Sequence, residues 1–158
     1  MKKSIKLILL FVISLTMFGC QNQVSQDNDT KDVAKQDVTL EETKKISVTS
    51  NNNTTIFELN ESEASDSLYK QLPLTIEVEN YSDNEKIFYL PEELSISDAP
   101  SANGTIGILA YYAPWGDVVM FYDDFSSVSG LYELGQAVSG SEYIDDMSGT
   151  IEMTQYLE

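Results

Sequence analysis

GTIGILAYYAPWGDVVMFYDDF, residues 104–125, reads as two strands folded back on each other at Pro114-Trp115-Gly116-Asp117. The first arm, Ile106 to Ala113, carries Ile106, Ile108, Leu109, Tyr111 and Tyr112. A short apolar run closed by a turn signal suits a strand buried on both faces, and periodicity alone does not separate it from a buried helix segment. Gly104, Gly107, Pro114 and Gly116 argue against the helix, because glycine and proline are its weakest formers. The second arm, Asp117 to Phe125, contains Val118, Val119, Met120, Phe121 and Tyr122, the β-branched and aromatic types that fit a pleated surface. Pro114 has no N–H to give to a ladder and so marks a strand end. Gly116 is expected to supply the turn dihedral that other residues avoid.

Trp115 is the only tryptophan, and it sits at this turn. It reads either as a lid over the core or as the aromatic wall of a binding groove, since amphipathic rings at loop ends make good contact surfaces. Tyr111, Tyr112 and Tyr122 carry the same two readings.

Around this hairpin the chain supplies further short strands. Ile46 to Thr49 alternates apolar and polar residues, Asn51-Asn52-Asn53 turns the chain, and Thr54 to Leu59 returns it. Asn60 and Glu63 have the spacing of a capping box, which predicts a helix from Glu61 to about Gln71 that packs Ala64, Leu68 and Leu72 inward and stops at Pro73. Leu74 to Asn80 alternates again, and Lys86 to Leu90 adds another strand. Pro91 to Asn103 reads as a polar loop. Gly130 to Val138 is expected as strand, Ser141 to Met147 as a second short helix, and Gly149 to Leu157 as the closing strand. Some eight strands with two helices point to a closed barrel, because closure removes exposed sheet edges.

The chain is 158 residues long with a formal net charge of −17, enough for one domain and a tail. Its nine basic residues are all lysine, so arginine is absent, and histidine is absent too. Phosphate backbones need clustered basic residues, which makes nucleic acid an unsuitable partner. The absence of histidine excludes a Ser-His-Asp triad, a Cys-His pair and histidine metal sites. Asp123-Asp124 and Asp145-Asp146 lack the spaced acidic ligands of a calcium loop, so no metal and no cofactor are expected. Asp117 and Glu133 would form a hydrolytic carboxylate pair only if the fold brought them together.

Lys2, Lys3 and Lys6 precede a largely apolar run, Leu7 to Phe18, the composition of a secretory signal over residues 1–19. Leu15-Thr16-Met17-Phe18-Gly19-Cys20 resembles a bacterial lipobox and implies lipidation at Cys20, the only cysteine. The other reading is an ordinary signal peptide with a free thiol. Removal of the signal leaves six lysines against 26 acids, a formal −20. Residues 20–45 would then be the acylated cysteine and a polar tether too poor in apolar residues to order itself. A flexible coil of that length holds its domain about 25–30 Å from the anchor. The domain would span residues 46–158, on the outer side of the cell membrane.

Leu68-Tyr69-Lys70-Gln71-Leu72-Pro73-Leu74, Glu85-Lys86-Ile87-Phe88-Tyr89-Leu90-Pro91, Tyr111-Tyr112-Ala113-Pro114-Trp115-Gly116-Asp117 and Leu131-Tyr132-Glu133-Leu134-Gly135 together resemble the bacterial cyclophilin-like domain family over residues 46–157. The resemblance implies an eight-stranded barrel capped by two helices. True cyclophilins use an arginine beside an apolar proline pocket that a histidine also lines, and this chain has neither residue. A lysine does not replace the planar five-donor guanidinium. The expectation is therefore a lipid-anchored binding module for a peptide or small ligand, with a degenerate prolyl isomerase as the alternative and another envelope protein as a possible partner. The candidate contact residues are Tyr89, Tyr111, Tyr112, Trp115 and Tyr122, with Asp117 pairing a cationic or hydrogen-bonding group.

Overall fold

Period-two patterning becomes a closed antiparallel barrel in the computed structural model, which describes residues 43–158. The expected signal segment, Cys20 and the tether through residue 42 lie outside the described residues. The elements are β1 (Lys45–Ser50), β2 (Asn53–Leu59), α1 (Glu63–Gln71), β3 (Leu74–Tyr81), β4 (Glu85–Tyr89), β5 (Ile108–Tyr112), β6 (Asp117–Phe121), β7 (Leu131–Ser139), a 3-10 turn (Ser141–Tyr143) and β8 (Gly149–Tyr156). The strands follow one another around the barrel as β1-β2-β7-β5-β6-β4-β3-β8.

Alternation sets the inward face. Ile46 and Val48 of β1, Phe57 and Leu59 of β2, Phe88 of β4, Leu109 and Tyr111 of β5, Val118 and Met120 of β6 and Ile151 and Met153 of β8 are buried in one cluster. Ala64 and Leu68 of α1 join it, four residues apart on one helix face. Gly135 is forced by packing: a Cβ there would lie 2.2 Å from the Glu58 carbonyl oxygen, so β7 tolerates no side chain at its crossing with β2.

Two expectations need correction. The helix opens at Glu63, not Glu61, and its N-cap is Ser62, whose Oγ accepts from the Ser65 N–H at 3.2 Å. Asn60 acts two residues behind, its Oδ1 accepting from the Ser62 N–H and from the hydroxyls of Ser62 and Ser65. Glu63 does not turn back to form a capping box; its carboxylate accepts from the Ser97 hydroxyl at 2.9 Å. The second correction is the expected helix at Ser141–Met147, which is only a 3-10 turn over Ser141–Tyr143. The barrel therefore carries one helix, not two. Ile144 and Met147, three residues apart, both reach the interior cluster, and one tight turn is enough to place them there.

Residues 91–103 form no strand or helix, yet they are fixed to the barrel. The Ala102 N–H donates to the Leu131 carbonyl at 2.9 Å, and the Glu133 N–H donates to the Pro100 carbonyl at 2.8 Å. This segment supplies donors and acceptors to the part of β7 that β2 leaves unpaired.

Candidate binding groove

All five residues of β6 are buried, which requires apolar cover on both faces of the sheet. Val118 and Met120 face the interior. Val119 and Phe121 face outward into a second cluster with Ile87 of β4, Ile108 and Ala110 of β5, Leu131 of β7 and Ala102. Phe125, from the loop after β6, stacks on Phe121 with ring centroids 3.6 Å apart and planes 13° apart.

That outer cover is incomplete. A groove of about 400 Å³ remains on the outer face, within the roughly 300–1,000 Å³ common for small-molecule sites. Asp117, Val119, Phe121 and Leu131 line it from the sheet. Tyr81, Tyr112, Trp115 and Glu85 line it from strand ends and a turn, Asn84 from the β3–β4 connection, and Phe125, Ser126 and Val128 from the loop after β6.

Trp115 is fixed by its turn. Its N–H and that of Gly116 both donate to the Tyr112 carbonyl, at 3.1 and 2.9 Å, and Gly116 takes φ +75°. The indole meets Tyr112 at 5.4 Å and Tyr81 at 5.5 Å between centroids, with interplanar angles of 79° and 80°. These are edge-to-face pairs, which aromatic quadrupoles favour. Trp115 nevertheless remains 54 % exposed and belongs to neither core cluster.

Asp117 is the opposite case. It is 2 % exposed, and its Oδ1 is the one buried side-chain oxygen or nitrogen among the described residues without a hydrogen-bond partner. Burial pushes its carboxyl above the ordinary aspartate range, and a hydrogen bond from its own backbone N–H pulls partly the other way. Glu85 is also raised, first by burial and then by the charge of Asp117. No lysine lines the groove, so these two acids face no cation there.

Residues 48–155 match the cyclophilin-like family. The chain belongs to that family. Its fold is similar to the solution structure of a hypothetical protein from Archaeoglobus fulgidus, with a TM-score of 0.57 and 16 % identity over 72 % of this chain and 95 % of the other. At that identity the likeness shows a common fold and nothing more. No curated protein matches the sequence.

Within this cyclophilin-like barrel, three of the six residues expected from the sequence come together: Tyr112, Trp115 and Asp117 line the groove. The other three lie elsewhere. Tyr111 is buried in the barrel interior, since neighbours on a strand point to opposite faces. Tyr89 is 51 % exposed at the end of β4, opposite Asp117 but outside the groove. Tyr122 packs against the interior cluster, donates its hydroxyl to Asn80 Oδ1 at 3.1 Å and carries the Lys86 ammonium 5.5 Å from its ring.

Glu133 does not line the groove with Asp117. It pairs with Ala110 on the far side of β5, and burial raises its carboxyl in a separate place. The acid that shares the groove with Asp117 is Glu85, which sequence reasoning missed. Among the described residues no three acidic, histidine or cysteine groups converge as metal ligands.

Proposed function

We propose that the chain is a lipid-anchored, extracytoplasmic binding module whose outer-face groove holds a small ligand or peptide side chain without catalysing its conversion. One observation carries this reading: a buried Asp117 carboxylate whose Oδ1 has no partner lies in a groove rimmed by a half-exposed Trp115. Neither feature serves the fold. A buried polar atom without a partner costs about 1–3 kcal/mol, and an exposed indole forgoes most of its burial. Both make sense as provision for a ligand that supplies the missing donor and covers the ring.

The location rests on the N-terminal sequence. Lys2, Lys3 and Lys6, the apolar run to Phe18 and Cys20 support secretion and acylation. Cys20→Ser is expected to move the protein out of the membrane fraction; a variant that stays there removes the anchor from the account.

Because Trp115 is the only tryptophan, its fluorescence reports on the groove in the full chain. Titration with a set of cationic, neutral and anionic fragments and short peptides is expected to give at least one saturable change. Ser126→Phe, which places a ring into the groove from an exposed loop position, is expected to abolish it. A set in which no compound moves Trp115 sinks this reading.

A further inference from the structure

We propose that the groove selects a primary alkylammonium group, with Asp117 as its counter-ion and hydrogen-bond acceptor. This rests on the groove being a ligand site and goes on to name the ligand's chemistry. Asp117 Oδ1 lacks a donor, so the ligand must carry one. Rotation of the Asp117 carboxylate about its Cβ–Cγ bond is soft, so presenting that oxygen to the groove costs little. A second carboxylate, Glu85, shares the groove, and no lysine lines it to offset either acid. An anion would meet like charge from both, and like-charge contacts are among the strongest determinants against a wrong partner.

The other lining groups narrow the class further. Val119, Phe121 and Leu131 offer an apolar floor for an alkyl stem. Trp115 and Tyr112 at the rim carry the negative ring faces that attract cations. A quaternary ammonium would satisfy the rings and the charge but has no N–H, and would leave Oδ1 as it is. A primary ammonium has three donors and satisfies all of these groups together. A bare divalent ion fits poorly, because hard cations take six or more oxygen ligands and only two acids line this groove.

The test uses Trp115 fluorescence of the full chain with four probes of similar size: n-butylammonium, tetramethylammonium, butanol and butyrate. The expected result is saturable binding of n-butylammonium at least about tenfold tighter than the other three, the scale on which a desolvated charge pair discriminates. Asp117→Asn, nearly isosteric, is expected to weaken it about tenfold or more while the melting transition stays intact. Glu133→Gln, a half-buried acid off the groove, is expected to change nothing. Because the cation favours ionised acids, affinity is expected to fall as pH is lowered through the raised pKa values of Asp117 and Glu85. Equal affinity for tetramethylammonium or butanol, or unchanged binding in a folded Asp117→Asn protein, overturns the proposal. If only butanol or butyrate saturates the signal, the groove is a ligand site and the ammonium assignment is wrong. If no probe or fragment moves Trp115, both fall.

Discussion

Glu85 and Asp117 line the same groove although the register of β4 and β6 sets Glu85 opposite Phe121 and Asp117 opposite Tyr89. That offset is about 13 Å along the strands at the usual rise of about 3.3 Å per residue. The two carboxylates thus approach from opposite ends of a short apolar floor, and each is raised by being taken out of water.

This arrangement gives the domain a pH dependence of known sign. A carboxyl whose folded pKa is raised contributes stability that is fully present below its unfolded pKa, about 4, and lost as pH rises through the folded value. Asp117→Asn is therefore expected to stabilise the protein at pH 8, because it removes the charge that burial penalises. The gain shrinks as pH falls below the folded pKa of Asp117. Glu85→Gln acts in the same direction. Denaturant unfolding at several pH values checks this, and an Asp117→Asn protein less stable than the parent at pH 8 speaks against it.

Trp115→Ala separates the two sequence-level readings of the indole. The ring is half exposed and outside both clusters, so its loss is expected to cost about 1–3 kcal/mol, the scale of its two edge-to-face contacts. Binding in the groove is expected to weaken far more than stability. A protein that fails to fold without the indole would make Trp115 a lid.

Gly135→Ala tests the barrel itself. The added methyl would overlap the Glu58 carbonyl oxygen and the Leu59 Cα, which are backbone and cannot swing aside. The expected loss is at least about 1–3 kcal/mol, from forced separation of β2 and β7. A melting temperature within error of the parent would mean the two strands are farther apart than described.

A coupled assay of prolyl isomerisation is expected to show only the uncatalysed rate. The chain has no arginine to stabilise a twisted amide, and no lysine lines the groove in its place. Acceleration that the Asp117→Asn or Trp115→Ala variant abolishes would establish catalysis and displace the binding-only reading.

The central hairpin was legible because β-branched and aromatic residues, two turn signals and doubly apolar arms all pointed to strands buried on both faces. β5 and β6 have that burial. Alternation likewise exposed the inward residues of β1 and β3. The groove was legible only in part. Tyr111 and Tyr112 have the same chemistry, and only strand parity puts one inside the barrel and the other on the groove. Glu85 and Tyr81 reach the site through the pairing of β4 with β6, a contact between segments some thirty residues apart that no local pattern encodes. The helix expected at Ser141 has a capping residue and polar content, but the run is too short to propagate, and Gly140 at φ +73° turns sharply into it.

The central claim is that the outer face of β5 and β6, and not some other surface, receives the ligand. Backbone amide NMR of the full chain during titration with n-butylammonium tests it most directly. The account predicts saturable shifts at Tyr112, Trp115, Asp117 and Val119, with Ser47 and Thr154 on the β1–β8 side unmoved. Shifts centred on β1 and β8, or none at Asp117, would contradict it.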